Sequence, residues 1–297
     1  MVALTEPPRR LPAHRVAVAV PCFNEAAHVP ALVAALQELD PAPGVVLAVD
    51  DGSTDGTGDL LESADIEVIR HGRNQGLGLG RNRLWRRARE LGFPVVAFLD
   101  ADVRPPADHL ARIVGLFGVD TRLAGVGGRN VDVDEGSRAD AWRRRFWPQD
   151  LGPEALMNAP MLVGACAAYR TEALYDVGGF DGAFRTNGED VDVGRRLRAA
   201  GWRLRYEPTL VVEHRRQDDD ASLVRACFRH CRDGMRATLK TPGEPPTPGE
   251  LVLGMARKAA RAPAAALLKR RDPAEAALGA AACTAGLAGY AVGWVRR

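Results

Sequence analysis

The segment 95–102 (VVAFLDAD) constrains the fold of this chain more than any other stretch. Its apolar, β-branched and aromatic residues predict a buried strand, and Pro105 and Pro106 mark where that strand has ended. Alternate side chains of a strand lie on the same face, so Asp100 and Asp102 are expected to point the same way. In an open α/β sheet, ligands bind outside the carboxyl ends of the strands, which is where this pair would lie.

Two carboxylates at such an edge offer hard oxygen ligands. Asp100 and Asp102 therefore predict a site for Mg²⁺ or Mn²⁺ that bridges a diphosphate. A solvated turn between a strand and a helix, without any ligand, is the alternative interpretation, because Asp is common in turns.

The chain before this segment alternates between strands and helices. Short strands are predicted at 15–20, 44–49 and 66–69, with helical segments that include 26–39 and 81–91. Short connections between such elements predict a parallel, doubly wound sheet with right-handed crossovers. The glycine-rich stretch 74–80 follows the third strand and lacks the GxGxxG spacing, so an NAD-binding fold is rejected.

The elements after this segment are less regular. Further helices are predicted at 107–117, 171–177 and 222–240, and one that Asn187, Gly188 and the acidic pair after them cap is predicted to run to residue 200. Strands are predicted at 123–133, 160–169, 204–206 and 210–212, with Gly164 packed close to another backbone. The stretch 140–148 (DAWRRRFWP) mixes arginine with aromatic residues; it is expected to line an acceptor site, to face a membrane or to be a solvated helix face.

Composition divides the chain into four parts. Residues 1–14 are rich in Pro and Arg without the apolar core of a signal peptide, and a disordered tail is expected there. One domain is expected over 15–240, a linker over 241–249 (TPGEPPTPG) and a helical tail over 250–297.

The tail raises the question of a membrane. Its part 251–271 is basic, and the twenty residues 276–295 carry no charge, which is long enough to span a bilayer. Gly289 and Gly293 have the GxxxG spacing that favours helix contacts in membranes. We expect association with an anionic membrane surface, with a buried helical hairpin as the alternative.

Composition also bears on the compartment. The net charge of +2, with 46% hydrophobic and 26% charged residues, is ordinary for a soluble globular protein. The five cysteines are scattered without a CxxC pair, so buried reduced thiols of a cytosolic protein are expected rather than a zinc site at Cys227, His230 and Cys231. No nucleic-acid-binding module is visible, and nucleic acid is not expected as a partner.

Several motifs occur together in a familiar order. They are VAVAVPCFNE, VDDGSTDGT, NQGLGLGRN, FLDAD, GGFDGAF followed by GEDVDVGRRLRAAGW, and VVEH. Over about residues 14–236 the chain resembles the family 2 glycosyltransferases, which are inverting enzymes. The resemblance implies an α/β fold of the GT-A type, a doubly wound and mostly parallel sheet flanked by helices, here with a C-terminal helical tail.

The resemblance also implies roles for residues. The nucleotide-sugar donor would be bound by Pro21, Phe23, Asn24, Glu25, Asp50, Asp51, Gly76, Arg81, Asn82 and Asp100. The Mn²⁺ or Mg²⁺ cofactor would be held by Asp100, Asp102 and His214, although His214 is open to interpretation as a structural histidine. Glu189 and Asp190 match the acidic pair whose aspartate is the catalytic base, although they are also favourable as charges at a helix N-terminus.

The transfer reaction itself requires groups of these kinds, independently of the resemblance. Displacing a nucleoside diphosphate from an anomeric carbon builds negative charge on the leaving phosphate, which a divalent cation neutralises. The acceptor hydroxyl attacks from the opposite face and gives its proton to a carboxylate, for which Asp190 is the candidate. A single displacement inverts the anomeric configuration, so the paired carboxylates of a glycoside hydrolase are not needed.

The predicted function is metal-dependent transfer of a hexosyl or related sugar to a lipid-linked or cell-envelope glycan, at the cytoplasmic face of the cell membrane. A non-catalytic subunit that binds nucleotide sugars is the first alternative, but it would have no chemical need for Asp100, Asp102 and Asp190 together. A nucleotidyltransferase is the second, but it calls for a glycine-rich basic loop after the first strand, where this chain has PCFNE.

Overall fold

The computed structural model describes residues 11–118, 120–133, 136–240 and 273–295. Most of the expected N-terminal tail, the expected linker 241–249 and the basic segment 251–271 lie outside the described residues. Residues Ala13–Arg15 form a short 3-10 turn, and the side chain of Ala13 is buried.

One sheet of eight strands forms the centre of the molecule. The strands are β1 (Val16–Cys22), β2 (Val45–Asp50), β3 (Glu67–Arg70), β4 (Val95–Phe98), β5 (Val103–Arg104), β6 (Leu123–Asp132), β7 (Ala167–Arg170) and β8 (Arg203–His214). Their order is β3-β2-β1-β4-β7-β6-β8-β5. The pairs β3–β2, β2–β1, β1–β4 and β6–β8 are parallel, whereas β4–β7, β7–β6 and β8–β5 are antiparallel.

Helices connect these strands and cover the sheet. They are α1 (Val29–Gln37), α2 (Thr57–Ser63), α3 (Leu77–Glu90), α4 (His109–Phe117), α5 (Arg138–Phe146), α6 (Thr171–Asp176), α7 (Glu189–Ala199), α8 (Asp220–Lys240) and α9 (Pro273–Val295). The predicted α/β architecture, a mostly parallel doubly wound sheet with a C-terminal helix, is confirmed.

The two faces of the sheet bury alternate residues of the same strand. In β1, Val16, Val18 and Val20 lie in a core cluster with α1 and α4, whereas Ala17 and Ala19 lie in a second cluster with α3, α6 and α7. This alternation is what the period of a strand dictates. Because β1 is buried throughout, its carboxyl end is fixed at the edge where the site is found.

Some boundaries differ from the sequence-based expectation. Strand β4 ends at Phe98, so Asp100 and Asp102 lie in a turn, in which the amide of Val103 donates to the carbonyl of Asp100 at 3.2 Å. The alternation of a strand therefore does not orient this pair. The two short strands predicted over 204–212 are parts of the single strand β8, which is long enough to pair with both β6 and β5.

The C-terminal helix belongs to a separate small core. Helices α5, α8 and α9 contribute Ala139, Trp142, Leu223, Cys227, Leu278, Ala282 and Cys283 to one buried cluster. Gly289 and Gly293 lie so close to α8 that an added Cβ would overlap with the carbonyl oxygens of Phe228 and Arg232, respectively. The GxxxG pair thus serves a helix contact within this chain.

One helix in the described part of the chain is long and apolar enough to cross a membrane. This segment, Ala274–Val295, has a mean hydropathy of 1.4, and 39% of it is buried inside the molecule. A core helix of a soluble protein meets the same criterion of length and composition, so this finding is weak support for a membrane span.

Candidate active site

A cavity of about 380 Å³ opens at the carboxyl ends of β1, β2 and β4. We call it the donor-side cavity; it is lined by Pro21, Cys22, Phe23, Glu25, Val49, Asp51, Asn74, Gly76, Leu77, Gly80, Asp100, Ala101, Asp102, Arg185 and Thr186. A larger open groove of about 640 Å³ lies between α1 and the β5–β8 edge, and no predicted site residue lines it. The sheet therefore brings together, in the smaller cavity, the ends of three strands whose sequences had pointed to a site.

The two neighbouring aspartates after β2 have different surroundings. Asp51 lines the donor-side cavity, and its carboxylate accepts hydrogen bonds from the amides of Gln75 (2.8 Å) and Gly76 (2.7 Å) and contacts His71 Nδ1 at 2.6 Å. Asp50 is equally buried but accepts from the amide of Ser53 at 2.9 Å, away from the cavity lining. Asp51 is thus the one of the pair that a ligand in the cavity can reach.

The backbone amides of the glycine-rich segment 74–80, which runs into the first turn of α3, form hydrogen bonds within the protein. Besides the bonds from Gln75 and Gly76 to Asp51, the amide of Leu77 donates to the carbonyl of Arg185 at 2.8 Å and that of Gly80 to Gly76 at 3.0 Å. Amides engaged in this way do not form an anion-binding turn of the kind found at phosphate-binding helix N-termini. The segment instead supplies the wall of the cavity.

Arg81 lies beneath the cavity and joins two acidic segments. Its side chain is about 2% exposed; Nη2 donates to Asp100 at 3.0 Å and Nη1 to Glu189 at 2.6 Å. The guanidinium also lies over the rings of Phe98 and Phe180, 5.7 and 5.8 Å from their centroids. Gly164 is close to this guanidinium and not, as expected from sequence, to another backbone, because an added Cβ would overlap with Arg81 Nη1.

Asn82, the neighbour of Arg81, holds a backbone segment. Its amide nitrogen donates to the carbonyl of Phe180 at 2.6 Å, and its oxygen accepts from the amide of Phe180 at 2.9 Å and from Trp85 Nε1 at 2.8 Å. Neither Arg81 nor Asn82 lines the donor-side cavity. Asn82 holds the loop at Phe180, and Arg81 holds Glu189 at the start of α7. Both residues therefore influence the cavity only through the segments that they hold.

Asp102 faces a histidine at the other side of the cavity floor. His214 Nε2 lies 3.3 Å from Asp102, while His214 Nδ1 lies 2.6 Å from the buried Asp132. Burial alone would lower the pKa of His214, but its hydrogen bonds to Asp102 and Asp132 and their charges raise it to about 9. Burial likewise tends to raise the pKa of Asp102, yet the contact with His214 lowers it.

The charges continue inward from Asp132. Arg143 Nε donates to Asp132 at 3.1 Å, and its Nη1 pairs with Asp218. Asp218 also pairs with Arg216, whose Nε lies 3.0 Å from it. A continuous chain of ion pairs therefore leads from Asp102 at the donor-side cavity through Asp132, Arg143 and Asp218 to Arg216.

The acidic pair at the start of α7 is divided between two environments. Glu189 is buried against Arg81, and burial raises its pKa although the charge of Arg81 opposes the shift. Asp190 has a pKa that burial also raises, and its carboxylate accepts from the amide of Val191 at 2.8 Å. A carboxyl group with a raised pKa is the better proton acceptor for a hydroxyl.

Asp190 opens to a second cavity of about 270 Å³. We call it the acceptor-side cavity; it is lined by Arg143, Trp147, Pro148, Gln149, Asp150, Leu151, Met161, Val163, Asp190, Arg216, Leu223, Ala226 and His230. It shares no lining residue with the donor-side cavity. Arg81 lines neither cavity, but it pairs with Asp100 of the donor-side cavity and with Glu189, the chain neighbour of Asp190 in the acceptor-side cavity.

The loop after β1 contributes both lining and support. Pro21, Phe23 and Glu25 line the donor-side cavity, and Phe23 is 44% exposed there. Asn24 has a positive φ of 57°, and its side-chain oxygen accepts from the amide of Thr54 at 2.9 Å. Asn24 therefore ties this loop to the loop after β2.

Sequence reasoning missed several residues of both cavities. Asn74, Leu77, Gly80, Arg185 and Thr186 line the donor-side cavity, and Asp132, Arg143 and Asp218 form the inner part of the ion-pair chain. Asp132 ends a predicted strand, which is the same signal that had pointed to Asp51. Arg143 lies in the stretch 140–148, for which lining an acceptor site was one of three interpretations, and Asn74, Leu77 and Gly80 lie in the glycine-rich stretch 74–80. Arg185, Thr186 and Asp218 are brought in by packing between distant segments and have no local signature.

The predicted metal ligands are Asp100, Asp102 and His214. Across the described ranges no group of three or more His, Cys, Asp or Glu side chains is arranged to hold a metal ion. All five cysteines are free and buried, as expected for reduced thiols. Asp102 Oδ2, which belongs to a residue that lines the cavity, lies 3.3 Å from Nε2 of the buried His214.

Comparison with known sequences identifies relatives of this chain. The model of glycosyl transferase family 2 matches residues 17–178. The pre-mycofactocin glycosyltransferase of Mycobacterium tuberculosis is 37% identical over 226 residues, which cover 72% of this chain and 45% of that protein. The N-acetylglucosaminyl-diphospho-decaprenol L-rhamnosyltransferase of the same species is 28% identical over 65% of this chain and 73% of its own length. The chain thus spans about 45% of the length of the first of these relatives.

Comparison with solved structures agrees on the fold. The mannosyltransferase PcManGT from Pyrobaculum calidifontis, in complex with GDP-Man and Mn²⁺, has a TM-score of 0.62 at 21% identity and covers 99% of this chain and 90% of its own. S. aureus TarS 1-349 in complex with UDP-GlcNAc has a TM-score of 0.56 at 17% identity and covers 82% of this chain and 69% of its own. The family match includes more than half of the sequence, from β1 to α6. The chain belongs to glycosyl transferase family 2.

Proposed function

We propose that this chain transfers a sugar from a nucleoside diphosphate sugar to an acceptor hydroxyl, with inversion and with the help of a divalent cation. The observation that carries the proposal is the pair of cavities in which the predicted acidic residues lie. One exposes Asp51, Asp100 and Asp102, and the other exposes Asp190. A donor and an acceptor held in these two cavities would meet at their boundary.

The donor-side cavity supplies groups for the nucleotide. Asp51 is held by His71 and by two backbone amides, so its carboxylate is fixed and its remaining lone pairs can accept an N–H of a base. Phe23, with a largely exposed ring, offers a surface for stacking. Arg185 is the guanidinium at the cavity wall, with Nη2 bonded to Asn74 Oδ1 at 2.9 Å. We assign Arg185 to binding the diphosphate of the donor.

The residues at the cavity floor fit a divalent cation. Asp102 and His214 would hold it, with Asp100 beside them, and His214 Nδ1 would donate to Asp132, an arrangement that orients metal-ligating histidines in other proteins. Bound there, Mn²⁺ or Mg²⁺ would stabilise the charge that develops on a leaving diphosphate. Without the cation, the raised pKa of His214 favours its protonated form, whose single positive charge offsets part of the charge of the two carboxylates.

We assign Asp190 as the general base that takes the proton from the acceptor hydroxyl. Its carboxylate lines the acceptor-side cavity and has a raised pKa, as a general base for a hydroxyl requires. Glu189 is assigned to positioning, because Arg81 binds it from below and it lies outside the lining of both cavities. In-line attack between the two cavities inverts the anomeric carbon in one step.

The test is hydrolysis of a panel of nucleotide sugars by the purified chain in Mn²⁺, in Mg²⁺ and in EDTA. We expect slow, cation-dependent release of one nucleoside diphosphate. Asp102→Ala should abolish it, because a cation ligand is lost. Asp190→Asn should abolish transfer to an acceptor while leaving donor binding, measured by calorimetry, within about twofold of wild type.

A matched control is Asp108→Asn, which removes an exposed carboxylate paired with Arg112 on the surface of α4. It should leave release unchanged. A folded protein that binds no nucleotide sugar would contradict the transferase proposal. Binding without turnover, even after a membrane lipid extract is added, would favour the non-catalytic subunit.

We further propose that the acceptor is a lipid-linked or cell-envelope glycan and that the chain works at the cytoplasmic surface of a membrane. The rhamnosyltransferase relative is named for a diphospho-decaprenol acceptor, which supports the first part. Exposed residues of α9 support the second, since they carry no charge: Ala277, Ala280, Ala281, Thr284, Leu287, Ala288, Ala291 and Val295. Co-sedimentation of the full chain with lipid vesicles is the expected result, and the basic residues of 251–271 should make it stronger with anionic than with neutral vesicles.

A further inference from the structure

The acceptor-side cavity differs from the donor-side cavity in the chemistry of its wall. We propose that it binds an uncharged part of the acceptor, which presents a hydroxyl group and a ring, and that it excludes an acceptor whose nucleophile is a phosphate group. This inference rests on the proposed transferase function and specifies its second substrate. It is argued from the charges, the aromatic surface and the polar groups of the cavity.

The positive charges at the wall are already neutralised. Arg143 is buried between Asp132 and Asp218, and Arg216 forms two bonds of 3.0 Å with the carboxylate of Asp218. A phosphate would have to displace one of these carboxylates. His230 adds no charge, because burial lowers its pKa to about 4 and its ring nitrogens face Ala226 O and Asn187 Nδ2, each at 3.2 Å.

Two carboxylates face the cavity as well. Asp190 lies at its inner end, and Asp150 lies at the wall, with its carboxylate 3.5 Å from Arg129 and accepting from the amide of Gly152 at 3.0 Å. A phosphate nucleophile placed next to Asp190 would be repelled by it. It would also have no proton for Asp190 to remove, whereas a hydroxyl has one.

The rest of the wall suits a ring. Trp147 is half-buried, and its indole meets the ring of His230 edge-on, with 5.2 Å between centroids. Met161, Val163 and Leu151 supply apolar surface around it. The carboxylate groups of this wall can accept hydrogen bonds, and the indole and aliphatic side chains offer an apolar surface. A sugar or a similar ring has hydroxyl groups for the first and an apolar face for the second.

Trp147 is held in place from behind. It packs against the buried cluster of α5, α8 and α9, and a small cavity of about 60 Å³ beside it is also lined by Cys227, Cys231 and Cys283. Gln149, two residues further along, accepts from Asn130 Nδ2 at 3.1 Å, which leaves its own amide nitrogen as a donor to a ligand. The platform and the polar groups around it are thus fixed to the scaffold.

The test uses two probes, phenyl β-D-glucoside and geranyl phosphate, with the full-length chain. Saturation-transfer NMR reports binding of each probe without any turnover. The effect of each probe on hydrolysis of the donor that the panel identifies, and the mass of any transfer product, report whether it occupies the site of attack. We expect the glucoside to bind and to accept the sugar or inhibit hydrolysis, and geranyl phosphate to do neither.

Variants separate this site from a general apolar surface. Trp147→Ala should weaken binding of the glucoside at least tenfold and leave the donor Kd unchanged, and Trp147→Phe should restore most of the loss. Tyr175→Ala removes a ring that is 58% exposed on α6 and should change nothing. Binding of geranyl phosphate in place of the glucoside, binding of neither probe, or glucoside binding that survives Trp147→Ala would overturn the inference. A chain that binds the glucoside but no nucleotide sugar would overturn the proposed function and not the ring site.

Discussion

Arg81 and Glu189 are 108 positions apart in the chain, yet Arg81 Nη1 lies 2.6 Å from Glu189 Oε1. Both side chains are almost fully buried, and Asp100 occupies the other end of the guanidinium. Removing the guanidinium would leave the buried carboxylate of Glu189 and the partly exposed carboxylate of Asp100 without their partner. We expect Arg81→Met to lower the free energy of unfolding by about 3–5 kcal/mol, measured by urea denaturation.

Two further variants test this explanation. Adding Glu189→Leu to Arg81→Met should recover part of the loss, because it removes one of the stranded charges. Arg87→Met, which breaks an exposed pair with Glu67, should cost no more than about 1 kcal/mol. Strictly additive effects of Arg81→Met and Glu189→Leu would show that the pair is not coupled.

The metal prediction concerns the floor of the donor-side cavity. Asp102→Asn and His214→Gln each remove one of the two groups that lie 3.3 Å apart there. Each should weaken binding of Mn²⁺ alone by about tenfold or more, as loss of a ligand or its support does elsewhere. Paramagnetic resonance of free Mn²⁺ measures this, and equal affinity in wild type and both variants would place the cation elsewhere. EDTA should lower the binding of Mn²⁺ by the wild type to the level of the variants.

His109 predicts how stability depends on pH. It is fully buried at the start of α4, and within the described residues neither ring nitrogen has a hydrogen-bond partner. Burial lowers its pKa to about 4, whereas the unfolded chain takes up the proton near 6.5. Its neutral form therefore supports stability above pH 6.5, and stability should fall by up to about 1.4 kcal/mol per pH unit between 6.5 and 4.

The measurement is urea denaturation at a series of pH values. His109→Leu should flatten the profile over this interval, because it removes the group that binds a proton only after unfolding. Replacing the exposed His14 with Gln should leave the profile as it is. An unchanged slope in His109→Leu would mean that other groups produce the dependence.

Gly293 tests the packing of α9. An added side chain would overlap with the backbone of Arg232 on α8, so Gly293→Leu should destabilise the protein by about 1–3 kcal/mol. Ala288→Leu, on the exposed side of the same helix, is the control and should have little effect on the melting temperature. Unchanged stability together with stronger vesicle binding in Gly293→Leu would indicate that α9 leaves α8 for the bilayer.

The sequence was sufficient for the parallel part of the sheet. The strands that end near Pro21, Asp51 and Asp100 are short, apolar and separated by helices, and parallel strands must bring their carboxyl ends to one edge. The donor-side cavity follows from that rule. The same local patterns also predicted where most helices lie, although α3 begins at Leu77, earlier than expected, because its first amides bond to the loop at 184–185.

The acceptor-side cavity could be predicted only in part, from the stretch 140–148, for which lining an acceptor site was one interpretation. Its wall combines residues from 143–151, 161–163, 190 and 216–230, and only folding brings those segments together. Arg81 shows the same limit, because the resemblance implied that it binds the nucleotide-sugar donor, whereas it lies outside the lining of the donor-side cavity. Its partners Asp100 and Glu189 were visible in the sequence as separate motifs, but the link between them depends on long-range packing.

The absence of shared lining residues between the two cavities has a consequence for engineering. A chimera can exchange the segments 147–163 and 223–230 for those of a relative while keeping every residue that faces the donor. Arg81 and Asn82 must stay with the recipient, together with Glu189 and the loop around Phe180 that they hold. Grafts designed along this boundary would change which acceptor is glycosylated without changing which nucleotide sugar is consumed.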